Sequence, residues 1–305
     1  MKSKDIILLI IRLLIGALFI TTAIMKLLTL DEFEAYIYSF NIFSFLLSTV
    51  VARLVIMAEM LLGICLMAKL MYKYAWWLTM LMLVGFTLFL IYVAIFRNDA
   101  NCHCFGDIVQ VDPAKSIIKN VVTMILMLFI RKEEDYQFKG KKWAIAAACL
   151  VSFVVPFCVF PMDAVYNKFV SPVEEINEQA FTTLLADSTM ADLDIHEGNY
   201  VLAVYASGCK YCKMSAKRMA LMMEQQFLDS TKFQMLIWGD SVHIQNFIEE
   251  TKCEKYRWHH INPFVAIDVV YGKFPTFILT HDGNVVKGMD YRGVDEKLLL
   301  EHLSE

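Results

Sequence analysis

The amino-terminal half of the chain contains apolar runs long enough to cross a membrane. Ile6–Leu28 is apolar almost throughout, and a helix that rises about 1.5 Å per residue needs about 20 such residues to span a bilayer. This run ends in Lys26 and is followed by further apolar runs, so we interpret it as an uncleaved helix and not as a secretory signal. We predict membrane-spanning helices at Ile6–Leu28, Phe43–Ala68, Tyr74–Phe96, Ala114–Ile130 and Trp143–Phe160.

The overall composition agrees with a membrane protein. Hydrophobic residues make up 58% of the 305 residues, and the mean hydropathy is +0.50. The net charge of -4 and the pI near 6.0 provide no basic field for a polyanion, and binding of nucleic acid is therefore excluded. The expected partners are the lipid membrane and other proteins.

The distribution of basic residues predicts how the helices are oriented. Lysine and arginine near the ends of spans are retained on the cytoplasmic side. They cluster at the amino terminus, in the second connection and in the fourth, as Lys2, Lys4, Lys69, Lys73, Arg131, Lys132, Lys139, Lys141 and Lys142. The first connection is instead acidic. We expect a multi-pass protein of the inner (cytoplasmic) membrane, with its amino terminus in the cytoplasm and both the third connection and the region after Pro161 outside, in the periplasm.

The third connection carries two cysteines around a histidine. Cys102, His103 and Cys104 lie in a short polar loop between two predicted spans. A positive charge near a cysteine lowers the pKa of its thiol, and a disulfide across one residue is strained and exchangeable. A redox pair is the favoured interpretation. A metal site and an inert loop stay open as alternatives, although three donors fall short of a closed zinc site.

Charged residues inside predicted spans are costly and require partners. Arg12 and Glu59 lie at comparable depths if the first two spans are antiparallel. We therefore predict an ion pair between these two residues.

The region up to residue 131 resembles the DoxX/MauE family of redox-associated membrane proteins. The resemblance rests on RLLIGALFITTAIMKL from Arg12, on DEFEAYIYSFNI, on AEMLLGICL around Glu59, and on CHCFGD before a helix that starts at Pro113. It covers residues 6–131 and implies a four-helix bundle with cysteine redox chemistry at the outer surface. Some relatives act in quinone-linked electron transfer, so a quinone is the candidate cofactor. Many members have glycine where this chain has His103, which leaves a metal or proton-transfer role open.

The carboxyl-terminal region has the pattern of an α/β domain. We predict strands at Tyr200–Tyr205, Phe233–Trp238, Thr276–Leu279 and Val285–Lys287, and helices at Cys212–Phe227, Val242–Lys252 and Val294–Leu303. Over residues 174–305 this order resembles the thioredoxin superfamily, with Pro275 at the position of that family's cis-proline. The fold class is therefore a membrane helical bundle, with a fifth transmembrane helix, followed by a thioredoxin-like domain. The predicted boundaries are 1–131, 132–162 and 163–305.

The sequence SGCKYCK after the first strand places two cysteines at the start of a helix. Unpaired amides and the helix dipole favour a thiolate at Cys209, so it is the expected nucleophile and Cys212 the resolving residue. Lys210 and Lys213 add positive charge that either helps the thiolate or is simply solvated. Most thioredoxins carry a buried carboxylate where this chain has Ala203, so the route of proton transfer is altered.

Two functions are compatible with these features. The first is a thiol:disulfide oxidoreductase in which Cys209 and Cys212 exchange with extracytoplasmic proteins that carry thiols or disulfides, and with Cys102 and Cys104. The second is a factor that delivers a metal or an apoprotein during maturation of a periplasmic enzyme. We predict no resident metal, since Cys253 with two adjacent histidines forms an incomplete ligand set.

Overall fold

A computed structural model describes residues 3–97, 106 and 111–304. The chain forms two compact units. The membrane unit comprises the residues up to Ile37 together with Leu46–Met162. The α/β unit comprises Tyr38–Phe45 and the residues from Asp163 onward.

The membrane unit is built from helices. They are α1 (Ser3–Leu28), α2 (Leu30–Tyr38), α3 (Phe45–Ala68), α4 (Tyr72–Phe96), α5 (Pro113–Phe129) and α6 (Lys141–Val154), and a π-helical turn at Val155–Val159 follows α6. In the described part of the chain four segments are long and apolar enough to cross a membrane: Lys4–Leu28, Phe45–Ala68, Tyr72–Phe96 and Lys141–Val159. The predicted apolar helices are thus confirmed as helices. α5 has 17 residues, and α6 has 14 before the π-helical turn continues it.

A close approach of two glycines sets the packing of α1 against α3. A methyl group on Gly63 would lie 2.7 Å from Ile20 Cγ1 and 2.9 Å from the carbonyl oxygen of Gly16. Gly16 in turn lies against Met67. Later residues of α1 therefore meet earlier residues of α3, so the helices are antiparallel. Small residues allow this close contact in a membrane, where van der Waals packing drives association.

The predicted ion pair between Arg12 and Glu59 is wrong. Glu59 pairs with Lys26, with 2.5 Å between Oε1 and Nζ, and Arg12 lies 3.4 Å from Oε2 of Glu133. The glycine contact explains the difference. Arg12 precedes Gly16, and Glu59 precedes Gly63, by about one helical turn, or about 6 Å. In antiparallel helices these displacements point in opposite directions, so Arg12 and Glu59 lie on opposite sides of the glycine contact and cannot pair.

The α/β unit contains one mixed sheet. Its strands are β1 (Val173–Glu174), β2 (Asn199–Ala206), β3 (Phe233–Trp238), β4 (Arg257–His260), β5 (Thr276–His281) and β6 (Asn284–Asp290). The strand order is β1-β6-β5-β2-β3-β4. β2 is parallel to β3 and antiparallel to β5. Helices are α7 (Asp163–Tyr166), α8 (Glu178–Leu185), α9 (Lys210–Gln225), α10 (Ser241–Thr251), α11 (Pro263–Val270) and α12 (Glu296–Leu303).

This topology confirms the predicted thioredoxin-like domain. A β2-α9-β3 crossover is followed by the β5-β6 hairpin and α12, with β2 and β5 adjacent at the centre of the sheet. Side chains of β2 alternate between two cores, as the period of a strand requires. Ala203 and Tyr205 face the core that contains α9, while Leu202 and Val204 face the core that contains α8 and α11.

The segment Tyr38–Phe45, which connects α2 to α3, is part of the α/β unit. Tyr38 and Phe45 belong to the same core as α9, with 5.4 Å between their ring centroids. Nε2 of Gln225 donates to the carbonyl oxygen of Tyr38 at 2.6 Å, and the Arg218 guanidinium lies 4.0 Å from the centroid of the Phe45 ring. These contacts anchor the segment within the unit.

Candidate active site

Cys209 occupies the position that caps the amino terminus of α9. Its backbone is extended, with φ -82° and ψ 121°, and its Sγ accepts the N–H of Cys212 at 3.2 Å. The first amides of a helix have no partner within the helix. The Cys209 sulfur is a hydrogen-bond acceptor for one of these amides, that of Cys212. As a thiolate it would also interact favourably with the positive end of the helix dipole.

Cys212 lies one turn into the helix and is fully buried. Its Sγ accepts the N–H of Ala206, at the end of β2, at a distance of 3.5 Å. The structure contains no disulfide between the two cysteines, so these distances are those of free thiols. The half-buried Cys209 is the sulfur of the pair that a partner can reach.

The two thiols differ strongly in acidity. The pKa of Cys209 is lowered to about 6, chiefly by the hydrogen bond from the Cys212 thiol and further by the backbone N–H groups of Cys212 and Tyr211, against the opposing effect of burial. Burial raises the pKa of Cys212 well above its usual value. At neutral pH, Cys209 is therefore a thiolate and Cys212 a protonated thiol.

Neither lysine of the motif accounts for this acidity. Nζ of Lys213 lies 2.6 Å from Oε2 of Glu250, so its charge is already paired. The pKa of Cys209 is lowered by hydrogen bonds, and no lysine is among the causes. The interpretation that Lys213 supports the thiolate is not borne out.

The sheet register brings Pro275 to the same end of the domain. The Phe274–Pro275 bond is cis. Thr276 pairs with Val204 in antiparallel β5 and β2, so Pro275 precedes β5 at the end of β2 from which the cysteine loop leaves. The structure thus brings Cys209, Cys212 and Pro275 together. Phe274, the residue before Pro275, packs against Trp238 at the end of β3, with 6.1 Å between their ring centroids.

The other cysteine predictions have different outcomes. Cys102 and Cys104 lie outside the described residues, so their pairing stays a prediction. Cys253 is fully buried against α9, and burial raises its pKa to about 11. The neighbouring histidines make other contacts, since ring nitrogens of His259 and His260 lie near Gln234 and the Gly239 carbonyl. Among the described residues no cluster of metal-ligating side chains occurs.

Sequence reasoning missed one polar residue in this region. Tyr205 is a fully buried side chain of β2 on the same face as Ala203 and α9. Within an apolar strand it is indistinguishable from a core aromatic residue. The one distinguishing feature in the sequence is its hydroxyl, because strand alternation places Tyr205 on the same face as Ala203.

Parts of the chain are similar to known proteins. Residues 4–131 match the family described as Methylamine utilisation protein MauE. Protein TlpB from Flavobacterium psychrophilum is 24% identical over 309 aligned positions, which cover 83% of each chain. A secreted Mycobacterium tuberculosis disulfide oxidoreductase, homologous to E. coli DsbE, matches at 13% identity over 37% of this chain and 84% of its own, with a TM-score of 0.30. Residues 4–131 are thus similar to the MauE family, and the strand order of the α/β unit is thioredoxin-like.

Proposed function

We propose that the protein is a membrane-bound thiol:disulfide oxidoreductase. The observation that carries this proposal is the contrast between the two thiols of the CxxC motif. Cys209 has a pKa of about 6 and is half-exposed, whereas Cys212 is buried and protonated. A nucleophile that is ionised at neutral pH, beside a resolving thiol that is not, is the arrangement that thiol–disulfide exchange requires.

The exchange proceeds in two steps. The Cys209 thiolate attacks one sulfur of a partner disulfide, which breaks the partner's S–S bond, forms a mixed disulfide and releases one partner thiolate. Cys212 then loses its proton to a departing partner thiolate and attacks Cys209 Sγ. The Cys209–Cys212 bond forms as the mixed disulfide breaks. The partner gains two electrons and the protein dithiol is oxidised to a disulfide, and the reverse sequence oxidises a partner dithiol.

The partners we propose are extracytoplasmic proteins with thiols or disulfides. The distribution of basic residues supports placing the α/β unit on that side of the membrane. It favours a cytoplasmic amino terminus, and five spans that start inside end outside. Exchange with Cys102 and Cys104, and linkage to a quinone, remain predictions within this proposal.

Equilibration with glutathione tests the proposed redox couple. Purified full-length protein, first reduced and then incubated with glutathione disulfide, is expected to form a Cys209–Cys212 disulfide that mass spectrometry detects as linked peptides. Excess dithiol should reverse the reaction. Cys253 serves as the internal control, because it is fully buried and is expected to stay a free thiol. A native protein that accumulates only a glutathione adduct on Cys209 would contradict the proposal.

A further inference from the structure

A cavity of about 500 Å³ lies in the membrane unit, where the first turns of α4 approach the connection between α5 and α6. The connection lines it with residues 131–135, and α4 lines it with basic and aromatic side chains that include Lys73, Tyr74, Trp76 and Trp77. Because α4 is a candidate membrane span and these residues lie at its first turns, the cavity lies at the level of the lipid headgroups.

Most of the carboxylates in this lining are neutralised by cations of the same unit. Oε2 of Glu133 lies 2.8 Å from Nζ of Lys69 and 3.4 Å from Nη1 of Arg12. Oδ2 of Asp135 lies 2.5 Å from Nζ of Lys141. Two of the three carboxylates that line the cavity therefore add no net negative charge to it.

The remaining charged side chains make the cavity positive. Lys73, Arg131 and Lys132 line it, are exposed, and form no ion pair with any residue that the structure describes. Glu134 is the one opposing carboxylate of the lining. Three cations against one carboxylate leave an excess of two positive charges, so the cavity attracts an anion.

Aromatic rings in the same lining suit a ligand at the membrane interface. Tyr74 is 66% exposed and Trp77 55%, and amphipathic rings of this kind lie at the level of the headgroups. Trp76 is buried, and its Nε1 donates to the carbonyl oxygen of Met127 at 2.7 Å. The Arg131 guanidinium lies 5.7 Å from the centroid of the Trp76 ring. A fixed ring therefore positions one of the three cations.

An exposed apolar stripe on α4 continues from the cavity along the span. Its members are exposed and recur at intervals of three or four residues, as Trp77, Leu81, Val84 and Leu88. Residues at these intervals share one face of a helix. A soluble anion would contact the cavity alone, whereas a phospholipid with its headgroup in the cavity would also place its acyl chains along this stripe. The combination of features therefore favours a lipid.

We propose that this cavity binds the headgroup of an anionic phospholipid, with Lys73, Arg131 and Lys132 as its cationic contacts. Basic pockets between membrane helices bind such headgroups in other proteins. The site lies within the membrane unit and goes beyond the proposed thiol–disulfide exchange. Its occupancy does not require the CxxC chemistry of the α/β unit, so each can fail without the other.

Native mass spectrometry of the full-length, detergent-solubilised protein tests this site. The probes are phosphatidylglycerol, phosphatidylcholine with the same acyl chains, and glycerol 3-phosphate as the soluble headgroup. One molecule of phosphatidylglycerol should be retained about tenfold more tightly than phosphatidylcholine, and equimolar glycerol 3-phosphate should not displace it. Equal retention of the two lipids would overturn the proposal. Displacement by glycerol 3-phosphate would also overturn it, because the ligand would then be a soluble phosphate.

Charge variants locate the bound lipid. Lys73→Gln and Lys132→Gln are each expected to weaken retention of phosphatidylglycerol about fivefold, the effect of one basic residue near an anionic headgroup. The matched control is Lys139→Gln, which removes an exposed cation from the same connection outside the cavity lining and should leave retention unchanged. Glu134→Gln should tighten retention about fivefold, a gain that misfolding cannot produce. Equal losses in Lys132→Gln and Lys139→Gln, or no gain in Glu134→Gln, would overturn the proposal.

Discussion

Alkylation of Cys209 is expected to reach half its maximal rate near pH 6 in the reduced, full-length protein. Only the thiolate reacts with an alkylating reagent, and an ordinary cysteine reaches half its maximal rate at about pH 8.5. The rate is measured for each cysteine separately by mass spectrometry of the labelled peptides. Cys253 is the internal control, because burial raises its pKa to about 11 and it should stay unlabelled throughout this range.

Cys212→Ala tests the cause of this acidity. The hydrogen bond from the Cys212 thiol is the largest cause of the lowered pKa of Cys209, so the variant should shift the midpoint upward, toward the value of an ordinary thiol.

The low pKa of Cys209 also affects the stability of the folded protein. Because the pKa is lower in the folded than in the unfolded protein, the reduced form should become more stable as the pH rises from about 6 to 9.0 and lose this contribution below about 6. A midpoint near pH 8.5 in the native protein would contradict the account.

Cys209→Ser is expected to reduce the rate of thiol–disulfide exchange by about a thousandfold or more, because a serine hydroxyl does not ionise at neutral pH and cannot form a disulfide. The measurement is reduction of a disulfide-bonded protein substrate by the pre-reduced, detergent-solubilised protein. Cys253→Ser is the matched control, since it changes a cysteine of the same domain that is fully buried. Equal losses in both variants would indicate damage to the fold and not removal of a nucleophile.

The sequence was most informative where one physical requirement dominates. A helix must be apolar over about 20 residues to cross a membrane, so the run that became α1 was recognisable without any structure. Phe233–Trp238 is a buried central strand of apolar residues, and its bounds were predicted without error. The thioredoxin-like order of elements followed from such strands together with the CxxC motif.

The elements that were missed have weak local patterns. The edge strand Arg257–His260 is short and largely exposed, and its sequence RWHH lacks the alternation of a half-buried strand. Pro263–Val270 is a helix of eight residues that is apolar on most sides, which periodicity alone cannot distinguish from a strand. Both elements are fixed by packing onto the sheet, which local sequence does not encode.

Side-chain partners were the hardest feature to predict. Depth counting paired Arg12 with Glu59 because it assumed that α1 and α3 align end to end. The contact of Gly16 with Gly63 sets another register, and Lys26 is the partner of Glu59. Similarly, the acidity of Cys209 depends on hydrogen bonds that only the folded loop provides.

The most direct test of the account is capture of a partner on Cys209. Full-length Cys212→Ser protein, produced in its native membrane and alkylated at once, lacks the resolving thiol and should accumulate mixed disulfides. These appear as higher-mass species that a reducing agent removes and whose partners mass spectrometry identifies. The matched control is the double variant Cys209→Ser with Cys212→Ser, which retains every other cysteine. The account predicts adducts with Cys212→Ser that are absent from the double variant, whereas the same pattern in both would contradict it.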